Sequence, residues 1–288
     1  MKFPTFTASI LLSAASLLAN DTALNEGSSG PEPIGGIKGP ESVIRLVRED
    51  LDFGFSRKGT DVRAKFVFRS TKKGEPARQL VGFPDNGAAM AEAGRREAAG
   101  ESVRAAHESD VARPLENLRT LVNGVAVPSR LQYGWVQLRD GYYSPTKPGP
   151  NAALMAWHTS EVTFPPDKDV IIERIYRAPN GANSLGMDLF HYTTATGGAW
   201  KGNIGQLVAT VTVRDGLTLD DLAWEGSRRT NRMHRESGPF VFPSWAAWEK
   251  LSPTQMRLVW DDFEPRTDEG RRGLTLYTIS PATAKAAQ

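Results

Sequence analysis

Ser184 is the first residue whose surroundings suggest covalent chemistry. It lies in the segment 182–186, a variant of the nucleophile elbow, and Asp188 and His191 follow it in the order found in α/β-hydrolases. An elbow needs a strand before the serine and a helix after it, whereas here a Pro-Asn-Gly loop precedes it and a strand pattern follows. Asp188 and His191 are three residues apart, so on a strand their side chains would point to opposite faces. The sequence therefore predicts a hairpin loop and not a serine hydrolase.

The metal-ligating residue types show no spacing that would hold an ion. Cysteine is absent, and the four histidines form neither a His-Glu-x-x-His motif nor a close pair. Five acidic residues lie close together at 261–269, but without the glycine turn of a calcium loop. The glycine-rich segment 197–205 lacks the frame of a phosphate-binding loop. We therefore predict no catalytic residue, no metal site and no cofactor.

Basic and aromatic side chains in predicted loops remain as candidates for a binding surface. A dense basic run could bind a polyanion such as a lipid headgroup or an acidic polysaccharide, or could simply be a solvated loop. Aromatic side chains in loops are typical of recognition surfaces, although they are more often part of a core. The basic residues are Arg228, Arg229, Arg232 and Arg235, and the aromatic residues are Trp200, which stands between glycines, Tyr142 and Tyr143.

Composition excludes several classes of protein. The chain has 288 residues, of which 40% are hydrophobic and 24% charged, so it can form a packed core. Its 35 basic and 33 acidic side chains leave a net charge of +2, which argues against a nucleic-acid-binding protein. The 27 glycines and 19 prolines are more than a helix bundle would tolerate.

Residues 1–19 have the pattern of a secretory signal peptide. Lys2 supplies the positive charge, an apolar stretch follows from Ala8 to Leu18, and Ala19 is a small residue at the cleavage point. The apolar stretch is shorter than the roughly 20 residues that a membrane span requires. We therefore predict an exported protein, periplasmic or extracellular, that begins at Asn20 and has no transmembrane segment after cleavage.

The mature chain shows the alternating pattern of many short strands. Apolar and mostly basic residues alternate along 62–68, and similar patterns recur at 207–213, 256–260 and 274–278. Asn123-Gly124 is a strong hairpin signal, and a second hairpin is predicted between 157–164 and 170–176. Such strands, broken by glycine and proline, predict an all-β, mainly antiparallel, β-sandwich-like fold.

The predicted fold consists of two packed β units. After a Gly/Pro-rich arm at 20–40, we place the first unit at 41–165 and the second at 166–282, followed by a tail at 283–288. The segment 87–108 is rich in alanine, glutamate and arginine and is predicted to be a small helical insertion.

Several short segments, in their order, resemble a bacterial exported family known only as domain of unknown function 4424 (DUF4424). They include Asn20-Asp21-Thr22, the strand 62–68, Val81-Gly82-Phe83-Pro84-Asp85, Val122-Asn123-Gly124 and Leu251-Ser252-Pro253-Thr254-Gln255. The resemblance spans most of the mature chain and implies an exported β-rich fold. It implies no activity.

Three functional hypotheses follow from the sequence. The first is a non-catalytic cell-envelope protein that binds or scaffolds an envelope protein or a glycan partner, without nucleic acid. The second is a hydrolase of glycan or cell-wall material that uses a pair of carboxylates among the 33 acidic residues. The third is a polyanion or surface binder that uses the segment 228–235. The absence of a catalytic motif favours the first, and whether the protein is an enzyme stays open.

Overall fold

The computed structural model of the chain describes residues 17–19, 21–27, 30–33, 42–106, 113–139, 142–182, 188–223, 248–265 and 274–278. Nearly all of its regular structure is β-strand, mostly antiparallel, with one α-helix and two short 3-10 helices among these residues. The predicted all-β class is therefore confirmed. In the described ranges, no helix has the length and apolarity needed to cross a membrane.

The largest sheet has eight strands and forms one whole layer of the fold. Its central strands pair antiparallel, and one neighbouring pair, formed by 204–213 and 44–56, is parallel. In spatial order the strands are β17 (Glu249–Ser252), β18 (Gln255–Phe263), β15 (Ile204–Val213), β4 (Ile44–Ser56), β5 (Gly59–Ser70), β12 (Asp169–Ala178), β7 (Glu116–Val122) and β8 (Val125–Val127).

Two smaller sheets form the opposite layer. The first has six strands, in the order β10 (Tyr142–Pro145), β9 (Arg130–Arg139), β11 (Ala153–Phe164), β6 (Ala77–Pro84), β2 (Thr22–Gly27) and β3 (Gly30–Pro33). The second has the path β1 (Leu17–Ala19), β14 (Asp188–Thr193), β19 (Leu274–Thr278) and β16 (Leu222–Ala223), with β13 (Gly181–Ala182) beside β14.

Apolar residues from the three sheets meet in one core. Phe66 and Phe68 on β5 are fully buried, as the alternating pattern predicted, whereas Lys65, just before Phe66, is half-buried instead of exposed. Phe68 contacts Phe164 of the six-stranded sheet, with ring centroids 5.9 Å apart. On the other side, Phe53 of β4 packs 5.2 Å from Phe190 of β14. The eight-stranded sheet therefore buries its inner face against both smaller sheets.

The helix α1 spans Asn86–Ala98, which is shorter than the predicted 87–108. It begins at Asp85, whose side chain accepts the backbone N–H of Ala88 at 2.9 Å, so Asp85 caps the helix. The helix ends before Gly100, which has a positive φ of 88° that favours glycine. Residues 99–106 are not helical, and 107–112 lie outside the described residues.

The two predicted hairpins have different outcomes. Asn123 and Gly124 both have positive φ values, 51° and 80°, and join β7 to β8 as predicted. The second predicted hairpin is wrong, because β11 and β12 lie in different sheets. Strand periodicity indicates which side chains are buried but does not identify the pairing partner. The chain crosses from one layer to the other at 165–168, and the predicted domain boundaries remain a prediction.

A charged residue occupies the middle of an otherwise apolar core face. Along β12 the inward positions are Val170, Ile172, Arg174 and Tyr176, and all four are buried. The Nε of Arg174 donates to Asp21 at 3.0 Å, and both side chains are completely buried. Asp21 is also fixed by its backbone carbonyl, which accepts the indole N–H of Trp200 at 2.8 Å. The chain just before β2 is thus attached to the centre of the eight-stranded sheet.

The burial of Asp21 predicts a dependence of stability on pH. Desolvation raises its pKa from 3.8 to about 6, although the guanidinium of Arg174 acts in the opposite direction. Because the folded-state pKa lies above the unfolded value, this contribution to stability is fully present below 3.8 and is lost as the pH rises through about 6.

The measurement is the free energy of unfolding by urea from pH 4 to pH 7. Asp21→Asn keeps an oxygen that can accept from Arg174 but cannot ionise, so we expect the fall in stability over this range to be smaller than in the native protein. Asp215→Asn changes an exposed aspartate in a turn and is the matched control. Equal falls in the native protein and in both variants would contradict the assignment.

Candidate anion-binding groove

A groove of about 550 Å³ crosses the outer face of the eight-stranded sheet. Its volume lies in the range of small-molecule sites, roughly 300–1,000 Å³. Four arginines and two aspartates supply its charges, so positive charge is in excess. Its polar and charged lining residues are Asp52, Asp61, Arg63, Asn117, Arg119, Arg177, Thr212 and Arg214.

Strand register brings these side chains together. Asp52 of β4 lies opposite Arg63 of β5, Arg63 lies opposite Ile175 of β12, and Ile175 lies opposite Arg119 of β7. Neighbouring strands in a sheet are about 4.8 Å apart, so one row of residues spans four strands side by side. The next row places Asp61 opposite Arg177.

The arginines differ in how completely they are paired. Asp61 is shared, because one oxygen accepts from Arg177 at 2.8 Å and the other from Arg214 at 2.7 Å. Arg63 donates to Glu173 at 2.6 Å. Arg119 is exposed and forms no ion pair with any residue in the described part of the chain. Among the four groove arginines, Arg119 is therefore the one whose positive charge is not neutralised by a described carboxylate.

An irregularity in β7 lies at the edge of the groove. The pairing of β7 with β12 changes register between Ile175 and Arg177, and Asn117 there has a φ of 56°. Left-handed backbone is unusual for a residue other than glycine, and asparagine is among the side chains that tolerate it best. Three residues later, Thr120 points inward and accepts from Arg174 at 2.5 Å. Because side chains alternate, this contact directs Arg119 outward.

Glycine at position 54 makes room for one of the guanidinium groups. A Cβ at this position would lie 2.5 Å from the Cζ of Arg214, which is closer than real contacts allow. Arg214 therefore lies across the backbone of β4 on its way to Asp61. Any residue other than glycine at position 54 would force the Arg214 guanidinium to move from this place.

Asp52 has a perturbed pKa. Desolvation raises it, the charge of Arg63 lowers it, and the charge of nearby Asp50 raises it again.

The residues proposed from sequence lie elsewhere or outside the described ranges. Trp200 is only 1% exposed and packs 4.6 Å from Phe68, so the prediction that it contributes to a binding surface is wrong. An indole of that size is buried because its N–H finds an acceptor, the carbonyl of Asp21. Tyr142 and Tyr143 lie on β10 and not in a loop. Ser184 and the run Arg228, Arg229, Arg232 and Arg235 lie outside the described residues.

The groove was missed in the sequence because its residues are far apart in the chain. Each arginine by itself resembles an ordinary outward residue of an amphipathic strand. One signal in the sequence could have indicated part of the groove: Asp52, Asp61 and Arg63 are charged residues at outward positions of two strands joined by a hairpin. The groove residues contributed by other strands could not be identified, because they depend on the order of strands in the sheet. Among the described residues, no group of three metal-ligating side chains could hold a metal ion.

The comparisons support the fold. The chain matches no family model and no curated protein sequence. Its structure is similar to that of a "putative nutrient binding protein" from Legionella pneumophila, with a TM-score of 0.58 and 14% identity over 94% of this chain and 74% of that chain. An M1 zinc metallopeptidase from Deinococcus radiodurans matches with a TM-score of 0.33, 10% identity and coverage of 81% of this chain and 41% of that one. The second likeness is too low to support an argument.

The left-handed backbone of Asn117 predicts a specific pattern of stability. Asn117→Ala should destabilise the protein by about 1–2 kcal/mol, because alanine tolerates this φ poorly. Asn117→Gly should have little effect or stabilise, since glycine adopts positive φ without steric cost. Urea unfolding of the two variants measures the difference. Equal stability of the alanine and glycine variants would contradict the left-handed backbone at position 117 of β7.

Proposed function

We propose that the protein is an exported, non-catalytic binding protein that holds a small multivalent anion in the arginine-lined groove. The ligand class is an oxyanion with several charged oxygens, such as a tricarboxylate or a phosphate. The observation that carries the proposal is Arg119, whose guanidinium forms no ion pair with any described residue and lines a groove that already contains three other arginines.

The chemistry of arginine suits this ligand. A guanidinium has five N–H donors in a planar fork, which matches the oxygens of a carboxylate or phosphate. Arginine stays protonated at physiological pH, so the four arginines offer positive charge and hydrogen-bond donors to a ligand. Arg177 and Arg214 share one carboxylate, and each keeps donors for a ligand.

The structural neighbour supports a binding role. The Legionella protein, which shares the fold over 94% of this chain, carries the name of a putative nutrient binding protein. A binding protein needs a concave site with convergent polar groups, and the groove provides one. The ligand of the groove would be a charged solute in the cell envelope. The envelope-protein or glycan partner predicted from the sequence would bind in addition to this solute.

Calorimetric titration with citrate and with inorganic phosphate tests the site. We expect Arg119→Ala to lower citrate affinity about tenfold or more, because a charge-assisted bidentate contact contributes about 1.5–3 kcal/mol. Arg119→Lys should recover only part of the affinity, since lysine keeps the charge but not the fork. Arg257→Ala, which removes an exposed arginine paired with Glu249 outside the groove lining, is the matched control.

Two results would contradict the proposal. The first is that neither citrate nor phosphate binds at low salt. The second is that an anion binds and Arg119→Ala leaves its affinity unchanged. If charge reversal of Arg228, Arg229, Arg232 and Arg235 abolished binding while Arg119→Ala did not, the polyanion-binding hypothesis for that segment would replace the groove.

The predicted export has its own test. If residues 1–19 are a signal peptide, the mature protein begins at Asn20 and Asp21 becomes its second residue. Expression of the full chain in a Gram-negative host, followed by mass spectrometry of the periplasmic fraction, should give this N-terminus. Intact Met1 in a soluble cytoplasmic fraction would contradict export and would leave the binding proposal to its own experiment.

A further inference from the structure

A second cavity, of about 470 Å³, opens between the β7–β8 hairpin and the strands β9 and β11. It lies at the side of the sandwich, whereas the arginine-lined groove lies on the outer face of the large sheet. Its walls are mainly aliphatic, and a few polar side chains stand together among them. The aliphatic residues are Leu115, Leu118, Leu121, Ala126, Val127 and Leu131, and the polar residues other than Arg119 are Thr120, Ser129 and His158.

The hydroxyl groups of this cavity already have partners. Arg174 donates to the Thr120 hydroxyl at 2.5 Å, and the Thr120 and Ser129 hydroxyls are 2.6 Å apart. Ser129 lies 3.2 Å from the Ser160 hydroxyl, which donates to the carbonyl of Pro128 at 3.1 Å. Because both ends of this series are fixed, each hydroxyl donates to the next one in the same direction. The hydroxyls therefore have no proton left for a ligand.

His158 is different, because one of its ring nitrogens has no partner among the described residues. Its Nε2 lies 3.0 Å from a carboxylate oxygen of Asp85. The same oxygen accepts the backbone N–H of Leu115 at 3.1 Å, and the other accepts that of Ala88. Asp85 thus acts as an acceptor, which places the proton on Nε2 and leaves Nδ1 of a neutral ring as an acceptor.

We propose that this cavity binds a small neutral amphiphile, an alcohol or a phenol, whose hydroxyl donates to Nδ1 of His158. The aliphatic walls would enclose its apolar body, as in most small-molecule sites. The ligand group that meets Nδ1 must be a donor, because Nδ1 of this tautomer is an acceptor. An ionised carboxylate or phosphate oxygen cannot meet that requirement, since it only accepts hydrogen bonds.

The experiment compares two probes of similar size, octan-1-ol and methyl octyl ether. Both have an apolar chain, but only the alcohol can donate a hydrogen bond. Methyl NMR signals of Leu118, Leu121 and Leu131 report binding at this location during titration. We expect the alcohol to bind about tenfold more tightly than the ether, the ratio typical for one hydrogen bond to a group in a water-poor site.

Two variants separate the hydrogen bond from the cavity walls. His158→Leu removes Nδ1 without supplying another acceptor, and Asp85 keeps the backbone N–H donors of Ala88 and Leu115, so the variant should reduce the preference for the alcohol to about one and leave ether binding nearly unchanged. Leu131→Asp introduces a charge into the wall at a residue that is 43% exposed, so it should weaken both probes without unfolding the protein.

Equal affinity of the native protein for the two probes would overturn the assignment of His158. So would a preference for the alcohol that persists in His158→Leu with a native melting temperature. Failure of both probes to shift the three leucine signals would overturn the cavity as a site. None of these outcomes depends on anion binding in the groove.

Discussion

The burial of Arg174 is the constraint on which the arrangement of the strands depends. A guanidinium at the centre of a sandwich needs partners in fixed places, because an uncompensated buried charge costs about 3–5 kcal/mol. The partners come from both layers: Asp21 precedes β2 of the six-stranded sheet, and Thr120 belongs to β7 of the eight-stranded sheet. One oxygen of Asp21 and one nitrogen of Arg174 have no hydrogen-bond partner in the described ranges. We therefore assign the pair to positioning the strands and not to a net gain in stability.

The same contact connects the core to both candidate sites. By accepting from Arg174, Thr120 sets the register of β7, and the adjacent Arg119 must then face the outer groove. On the inner side, a series of hydrogen bonds runs from the Thr120 hydroxyl through Ser129 to Ser160. These bonds use the hydroxyl protons beside the second cavity. The buried cation thus directs Arg119 to the outer groove and fixes the hydroxyl groups beside the second cavity, whereas the acceptor on His158 is set separately by Asp85.

Local features of this fold could be predicted from sequence, and distant pairings could not. Alternation identified the buried Phe66 and Phe68, and Asn123-Gly124 identified a hairpin, because both effects depend on neighbouring residues. The partners of β11 and β12 depend on which sheet each joins, and nothing in their own residues encodes that choice. Arg174 stands at an inward position of a strand pattern, which is a sign of a buried charge. Its partner Asp21 is 153 residues away in the chain.

The proposed function depends on the binding of an anion among the arginines of the outer groove. The most direct measurement is two-dimensional NMR of the arginine Nε–H groups during titration with citrate at low salt, with assignment by single substitution. The proposed function predicts that the signals of Arg119, Arg63, Arg177 and Arg214 shift together and saturate with one affinity. Shifts confined to arginines outside the groove, including those at 228–235, or no saturable shift in the four groove arginines, would contradict it.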